Sequence, residues 1–281
     1  MMETSEQMSE IRFEFGRNWL GFVQRELTDD RIAIARNHLL SFLKKDSLAG
    51  MDFLDIGCGS GIHSAAARSA GADPVCSFDF DPNSVAATDL VRTRAGAPSN
   101  WRVTRGDVLD EQFVRSLGKW RLVYSWGVLH HTGDVWKAIG NASIAVAEGG
   151  LFYIALYSAD VQPNQEFWLR IKREYNAASE LKKRRMLWWY VWNFRLERKL
   201  GQLPELIKDI IRYRRKRGMS LFVDDRDWLG GWPMEYTYDA DVIAFLAERG
   251  FTLENMKTGE ANTEFLFRKG PAQETELHPK V

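Results

Sequence analysis

Between residues 50 and 157 the chain alternates two kinds of pattern. Short apolar runs rich in Val, Ile and Phe (MDFLDI, PVCSFD, WRVTRG, RLVYSW and LFYIALY) are separated by stretches with helical spacing at 61–71, 82–94, 110–117 and 133–147. Strand following helix in this order predicts a parallel sheet covered on both faces. After Tyr157 the alternation stops for about 75 residues that read as helical throughout. It resumes with a helix at 239–249 and two strands, FTLENMK and TEFLFRK, whose short connection predicts an antiparallel pair. Ahead of the sheet, 10–45 reads as one or two helices, with Ile32, Ala35, Leu39, Leu40 and Leu43 at helical spacing. The first nine residues and those from Pro271 onward are polar and read as tails.

Composition narrows the class. With 45% hydrophobic and 27% charged residues the chain is ordinary for a globular protein of one domain plus an elaboration. It has no apolar run long enough to span a bilayer and no leader-like start, and its two cysteines, Cys58 and Cys76, form neither a disulfide framework nor a metal-ligand pattern. A cytoplasmic location and no metal are therefore expected. The net charge of zero conceals a polarised chain: residues 163–223 hold 16 Lys/Arg against 6 Asp/Glu. Such a basic block on an acidic body points to a local acidic partner rather than a general nucleic-acid coat.

The chemistry concentrates at the ends of the first strands. FLDIGCGSGIHS sets Gly57, Gly59 and Gly61 between a strand and a helix, with Ile62 where a dinucleotide fingerprint needs its third glycine. Asp55 stands just before the turn, Asp79 ends the second strand 22 residues after Gly57, and Asp107 follows the third. Carboxylates around a glycine turn suit a ligand with an amine, a ribose and an adenine but no phosphate.

The four runs LDIGCGSG, SFDFDP, RGDVLD and LVYSWGVLHHTGD resemble the class I S-adenosylmethionine (SAM) dependent methyltransferases, and are similar to their small-molecule branch, which includes quinone-biosynthesis enzymes. The resemblance covers 50–157; one departure is AEGG at 147–150, where many relatives carry a proline. It implies a Rossmann-like doubly wound α/β fold: a mostly parallel seven-stranded sheet with an antiparallel last strand. It also implies SAM as cofactor and S-adenosylhomocysteine as product. Asp55, Gly57, Gly59 and Gly61 would line the methionine end, Asp79 the ribose, and Asp107 with the Val108 backbone the adenine edge. Ser125 and Trp126 would stand beside the sulfonium and Phe80 on the adenine, with core packing the alternative for Phe80 and Trp126. FGRNW at 15–19 could close over SAM as a lid or simply begin a packed helix.

Methyl transfer is an in-line displacement, so positioning dominates and a base is needed only for an acceptor that holds its proton tightly. His130 and His131 follow the fourth strand; His130 is expected to be the base and His131 to turn into the fold or aid placement, with Tyr157 a second candidate. His38 and His63 read as structural. SWGVLHH stands where nucleobase N-methyltransferases carry a diproline motif, favouring transfer to oxygen or an activated carbon over a nucleobase amine.

The divisions expected are a helical segment at 1–49, a core at 50–158 and 236–270, a basic aromatic cap at 159–235, and a tail at 271–281. Cap helices are drawn at 166–176 and 204–217. Between them, Met186 through Trp192 are apolar in succession and encircle their helix, which predicts burial in the cap or in a dimer contact; a membrane surface is the alternative. Cap cations would face an acidic acceptor, and the loop WLGGWPMEYTY would bring Glu235 or Tyr236 toward it. The expected activity is methyl transfer to oxygen of a small anionic acceptor such as a sugar or a phosphorylated or carboxylated metabolite. The alternatives are a membrane-associated quinone or lipid methyltransferase, and a SAM-binding module without catalysis.

Overall fold

In the computed structural model, residues 13, 15–208 and 221–271 are described. Two helices lead, α1 (Phe15–Arg25) and α2 (Asp29–Leu43). The sheet then builds as β1 (Phe53–Ile56), α3 (Ile62–Ser69), β2 (Val75–Asp79), α4 (Pro82–Arg94), β3 (Trp101–Arg105), α5 (Glu111–Ser116), β4 (Trp120–Trp126), α6 (Val135–Ile144) and β5 (Val146–Tyr157). After the insert come α10 (Asp239–Ala247), β6 (Phe251–Thr258) and β7 (Asn262–Lys269). Helix starts follow local chemistry: the carboxylates of Asp81, Asp110 and Asp134 each accept a backbone N–H from the first turn of α4, α5 and α6.

The seven strands lie in the order β3-β2-β1-β4-β5-β7-β6. All pairs from β3 to β5 are parallel, and β7 runs antiparallel to both β5 and β6. The expected Rossmann-like topology is therefore observed, with the direction of winding reversing between β1 and β4. Side chains alternate between two cores. Phe152, Ile154, Phe265 and Phe267 enter one, under α5, α6 and α10. Leu151, Tyr153, Leu266 and Phe53 enter the other, under α2, α3 and α4.

The insert leaves and rejoins the sheet at one point. Ser158 and Thr237 form an isolated parallel bridge, and Ala159 N–H donates to Thr237 O at 2.8 Å. Between them stand α7 (Gln165–Asn176), α8 (Glu180–Tyr190), a π turn at Val191–Arg195, a helical stretch at 203–208 and α9 (Leu221–Gly230). The helix drawn over 204–217 is thus seen only in its first part; Ile210, Ile211 and Tyr213 lie outside the described residues.

The cap's core is not the one expected. No residue of α8 is buried, and Trp188 is 65% exposed, with Trp189 and Trp192 exposed as well. Of the expected run only Val191 is buried; it joins Tyr175 and Leu196 in the interior, with Trp168, whose ring lies 5.3 Å from Trp228 and 5.1 Å from Phe194. An apolar girdle does set one side of its helix against α7 and α9, while Leu181, Trp188 and Trp192 on the other are exposed.

Candidate active site

The crevice opens at the carboxyl ends of β1 and β4, where strand order reverses and ligands of open α/β sheets bind. Gly57 and Cys58 both donate N–H to Phe78 O, holding the glycine turn against β2. Gly57, at φ +74°, could not carry a side chain, since an added Cβ would stand 2.3 Å from Val128 Cγ1. At Gly59 an added Cβ would stand 3.3 Å from Trp19 Nε1, closer than an ordinary contact, so α1 packs over this glycine. The turn is therefore closely packed at both glycines.

Asp79 stands at the crevice rim, accepting N–H from Gly59 at 3.0 Å and from Asp81 at 2.9 Å. Asp55 lies deeper, 2% exposed, and takes the Ser64 hydroxyl at 2.5 Å. Ser64 in turn meets Ser77 at 2.7 Å, which receives the Trp101 indole N–H at 2.9 Å. Burial is the main cause that raises both carboxyls, Asp55 to about 7 and Asp79 to about 6, and the charge of Asp79 raises Asp55 further. Two desolvated carboxylates with no ion-pair partner among the described residues form a place that a cationic ligand would relieve.

The remaining expected cofactor residues divide. Phe80 is 43% exposed beside Asp79, with the Arg105 guanidinium 5.6 Å from its ring centre, so it presents an aromatic face and is not core. Asp107 accepts the Leu109 N–H at 2.8 Å and shapes the turn after β3; Val108 is buried, its carbonyl taken by Asn141 Nδ2. Ser125 is fully buried and donates to Ile56 O at 3.0 Å, which makes it a tie between β4 and β1. Trp126 is half-buried, and its indole nitrogen is buried with no hydrogen-bond partner among the described residues.

The two histidines differ in burial. His130 is fully buried, and its Nδ1 accepts the Tyr157 N–H at 3.2 Å, so in the neutral ring Nε2 carries the hydrogen. Burial above all, then the charges of His131 and Lys172, push its pKa well below the ordinary histidine value. His131 is half-buried, with Nδ1 2.7 Å from Pro233 O. A carbonyl only accepts, so Nδ1 is the protonated nitrogen and Nε2 holds the lone pair. Spacing alone could not show this, because one residue's rotation along the short helical turn decides which ring enters the fold.

Tyr157, at the end of β5, gathers the acceptor side. Its ring centre lies 4.2 Å from His130, 5.7 Å from His131, 5.7 Å from Trp228 and 6.3 Å from Tyr236. His130 Nε2, Trp228 Nε1 and the Tyr236 hydroxyl are all buried without a hydrogen-bond partner among the described residues. Lys172 of α7 is 1% exposed; its ammonium donates to Trp228 O and stands 4.3 Å from the Trp228 ring centre. Burial lowers its pKa to about 7, against the opposing charge of Asp227. Glu235, by contrast, caps α6 by accepting the Val135 N–H at 2.9 Å, so of the two loop candidates only Tyr236 reaches this cluster. The His63 ring lies 5.1 Å from that of Tyr124, tilted by 41°, and His38 faces Glu264 at 3.7 Å.

Residues 23–222 match the model of a methyltransferase domain family. The chain belongs to this family. It is similar to a ubiquinone biosynthesis O-methyltransferase from Methylobacterium sp. (strain 4-46), 31% identical over 125 residues that make up 44% of this chain and 48% of the relative. The chain spans about half the length of the curated relatives it matches. Among solved structures, magnesium protoporphyrin IX methyltransferase from Synechocystis PCC 6803, with bound S-adenosylhomocysteine, superposes with a TM-score of 0.54 at 14% identity, covering 95% of this chain and 100% of that one. An O-methyltransferase family protein from Burkholderia thailandensis gives 0.55 at 11% identity, over 87% of this chain and 59% of that one. Both likenesses are of fold.

The chain belongs to a methyltransferase domain family, and its crevice has features that would suit the SAM expected from the sequence motifs. The two raised carboxyls would favour a cation, and Phe80 presents an exposed aromatic ring. Trp19 and Lys172 are the functional candidates that sequence reasoning missed. Trp19 lay inside a stretch read as a lid or as the start of a packed helix, and a single lysine among 16 Lys/Arg in the basic block carries no signal of burial.

Proposed function

We propose that this protein transfers a methyl group from SAM to an oxygen of a small anionic acceptor held under the cap. The observation that carries the reading is the Tyr157 cluster. Three buried donors without protein partners, from His130, Trp228 and Tyr236, surround it beside Lys172, the one buried cation among the described residues. Unpaired buried donors are costly, and an oxygen-rich, negatively charged ligand would satisfy them. The similarity to a ubiquinone biosynthesis O-methyltransferase supports oxygen as the atom methylated.

SAM supplies an electrophilic methyl when bound, and Asp79, Phe80 and the glycine turn at 57–61 are the residues proposed to hold it. The chain's own part is placement and proton management. In its neutral form His131 carries the ring hydrogen on Nδ1, held by Pro233 O, which makes Nε2 the nitrogen proposed to receive a hydroxyl proton. His130 stays neutral and serves as a donor through Nε2.

The test is methyl transfer from radiolabelled SAM to a panel of hydroxylated acceptors with and without a carboxylate or phosphate. Carboxylated or phosphorylated members are expected to react fastest. His131→Ala is expected to lower kcat by about 10²- to 10⁴-fold with SAM affinity unchanged. Preference for uncharged acceptors would overturn the anionic assignment, and full turnover by His131→Ala would overturn the base.

A further inference from the structure

The outward side of the cap carries side chains that water does not favour. Leu181 is 70% exposed, Trp188 65% and Trp192 40%. Positions 181, 185, 188 and 192 recur at helical spacing, so these three and Arg185 form one stripe along α8 and the start of the π turn. Arg184 and Arg185 are both exposed, and neither has an ion-pair partner among the described residues, whereas Lys182 and Lys183 pair with Glu174 and Glu180. An open groove borders the stripe, lined by Leu181, Lys182, Arg185, Met186 and Trp189.

We propose that this face docks the protein peripherally on a bilayer surface bearing anionic lipid headgroups. Indole rings are favoured at headgroup depth, where one end is apolar and the other wet, and guanidinium groups pair with lipid phosphates. The lack of a polar side along α8 is no obstacle. One side of its girdle is occupied by α7 and α9, so only the outward stripe has to match a membrane. No described helix is long and apolar enough to cross one, so the contact lies in the interface plane. A second copy of this chain would suit the stripe poorly. A two-fold contact sets a surface against its own image, and here that surface belongs to a block of 16 Lys/Arg and 6 Asp/Glu.

Flotation of the full chain with phosphatidylcholine vesicles, with and without phosphatidylglycerol, tests the proposal. The protein is expected to float with the anionic vesicles, and at least about tenfold less with neutral ones or in high salt. Trp188→Ser with Trp192→Ser, and separately Arg184→Gln with Arg185→Gln, are each expected to weaken binding by about tenfold or more while circular dichroism and SAM affinity stay unchanged. Three results would overturn it: no flotation with anionic vesicles, equal flotation of the variants, or a dimer by light scattering that Trp188→Ser dissociates. Equal variant sensitivity in binding polyuridylate would assign the face to RNA and overturn it too. SAM binding and methyl transfer are read separately, so failure here leaves the proposed activity standing, and the reverse.

Discussion

At the scale of single residues, the cofactor crevice is governed by charge that has been taken out of water. Asp55 and Asp79 lie at about 7 and about 6 because burial disfavours their ionised forms. Their attraction for a cation is complete above those values and is lost as pH falls through them. The dissociation constant for SAM is therefore expected to rise by about tenfold between pH 8 and pH 5.5, measured by titration calorimetry. Asp79→Asn should weaken SAM by about 10- to 100-fold at pH 8 and remove Asp79's share of that pH dependence, leaving the share of Asp55. Affinity independent of pH over this range would show that the carboxylates do not meet the ligand. Lys172, at about 7, works in the other direction: it is charged below that value and loses its pull on an anion as pH rises. Lys172→Met should raise KM for an anionic acceptor more than it lowers kcat. Asp55, Asp79 and the glycines were legible from sequence, since a backbone turn and the nearby strand ends are local. Lys172, Trp228 and the order of the two histidines were not, because burial belongs to the assembled neighbourhood.

At the scale of elements, the cap is held by a few specific ties. Arg195 in the π turn reaches Asp225 of α9 at 2.6 Å, and Asp225 is 1% exposed. Burial raises the Asp225 pKa, opposed by the Arg195 hydrogen bond and charge. Arg195→Ala would leave a buried carboxyl without its cation and is expected to cost about 3–5 kcal/mol, read as an earlier chemical unfolding transition. Arg195→Ala combined with Asp225→Leu should recover much of that loss, which distinguishes an orphaned charge from lost packing. The strands and helices of the sheet were readable because their hydrophobic periods are strict. Helix α8 misled for a physical reason: seven apolar residues in succession specify affinity for apolar surroundings without specifying whether those surroundings are protein or lipid.

At the scale of the whole molecule, α1 ties the crevice to the cap. Gly16 N–H donates to Asp81 at 2.9 Å on one side, while Asn18 Nδ2 reaches Asp227 at 2.5 Å and Phe13 N–H reaches Trp232 O at 3.0 Å on the other. Trp19 between them roofs the glycine turn. Amide exchange over 15–25 is expected to slow on addition of SAM, followed by mass spectrometry, and Asn18→Ala should reduce that protection; unchanged exchange would leave α1 a packed helix and no lid. The amino-acid sequence by itself determined the sheet, its winding and the glycine turn with its carboxylates, because periodicity and turn chemistry act between near neighbours along the chain. Only the tertiary structure decided which histidine is buried, which lysine is desolvated and which side of the aromatic helix faces out. Those outcomes depend on what packs against each side chain from distant parts of the chain, and no local pattern encodes them.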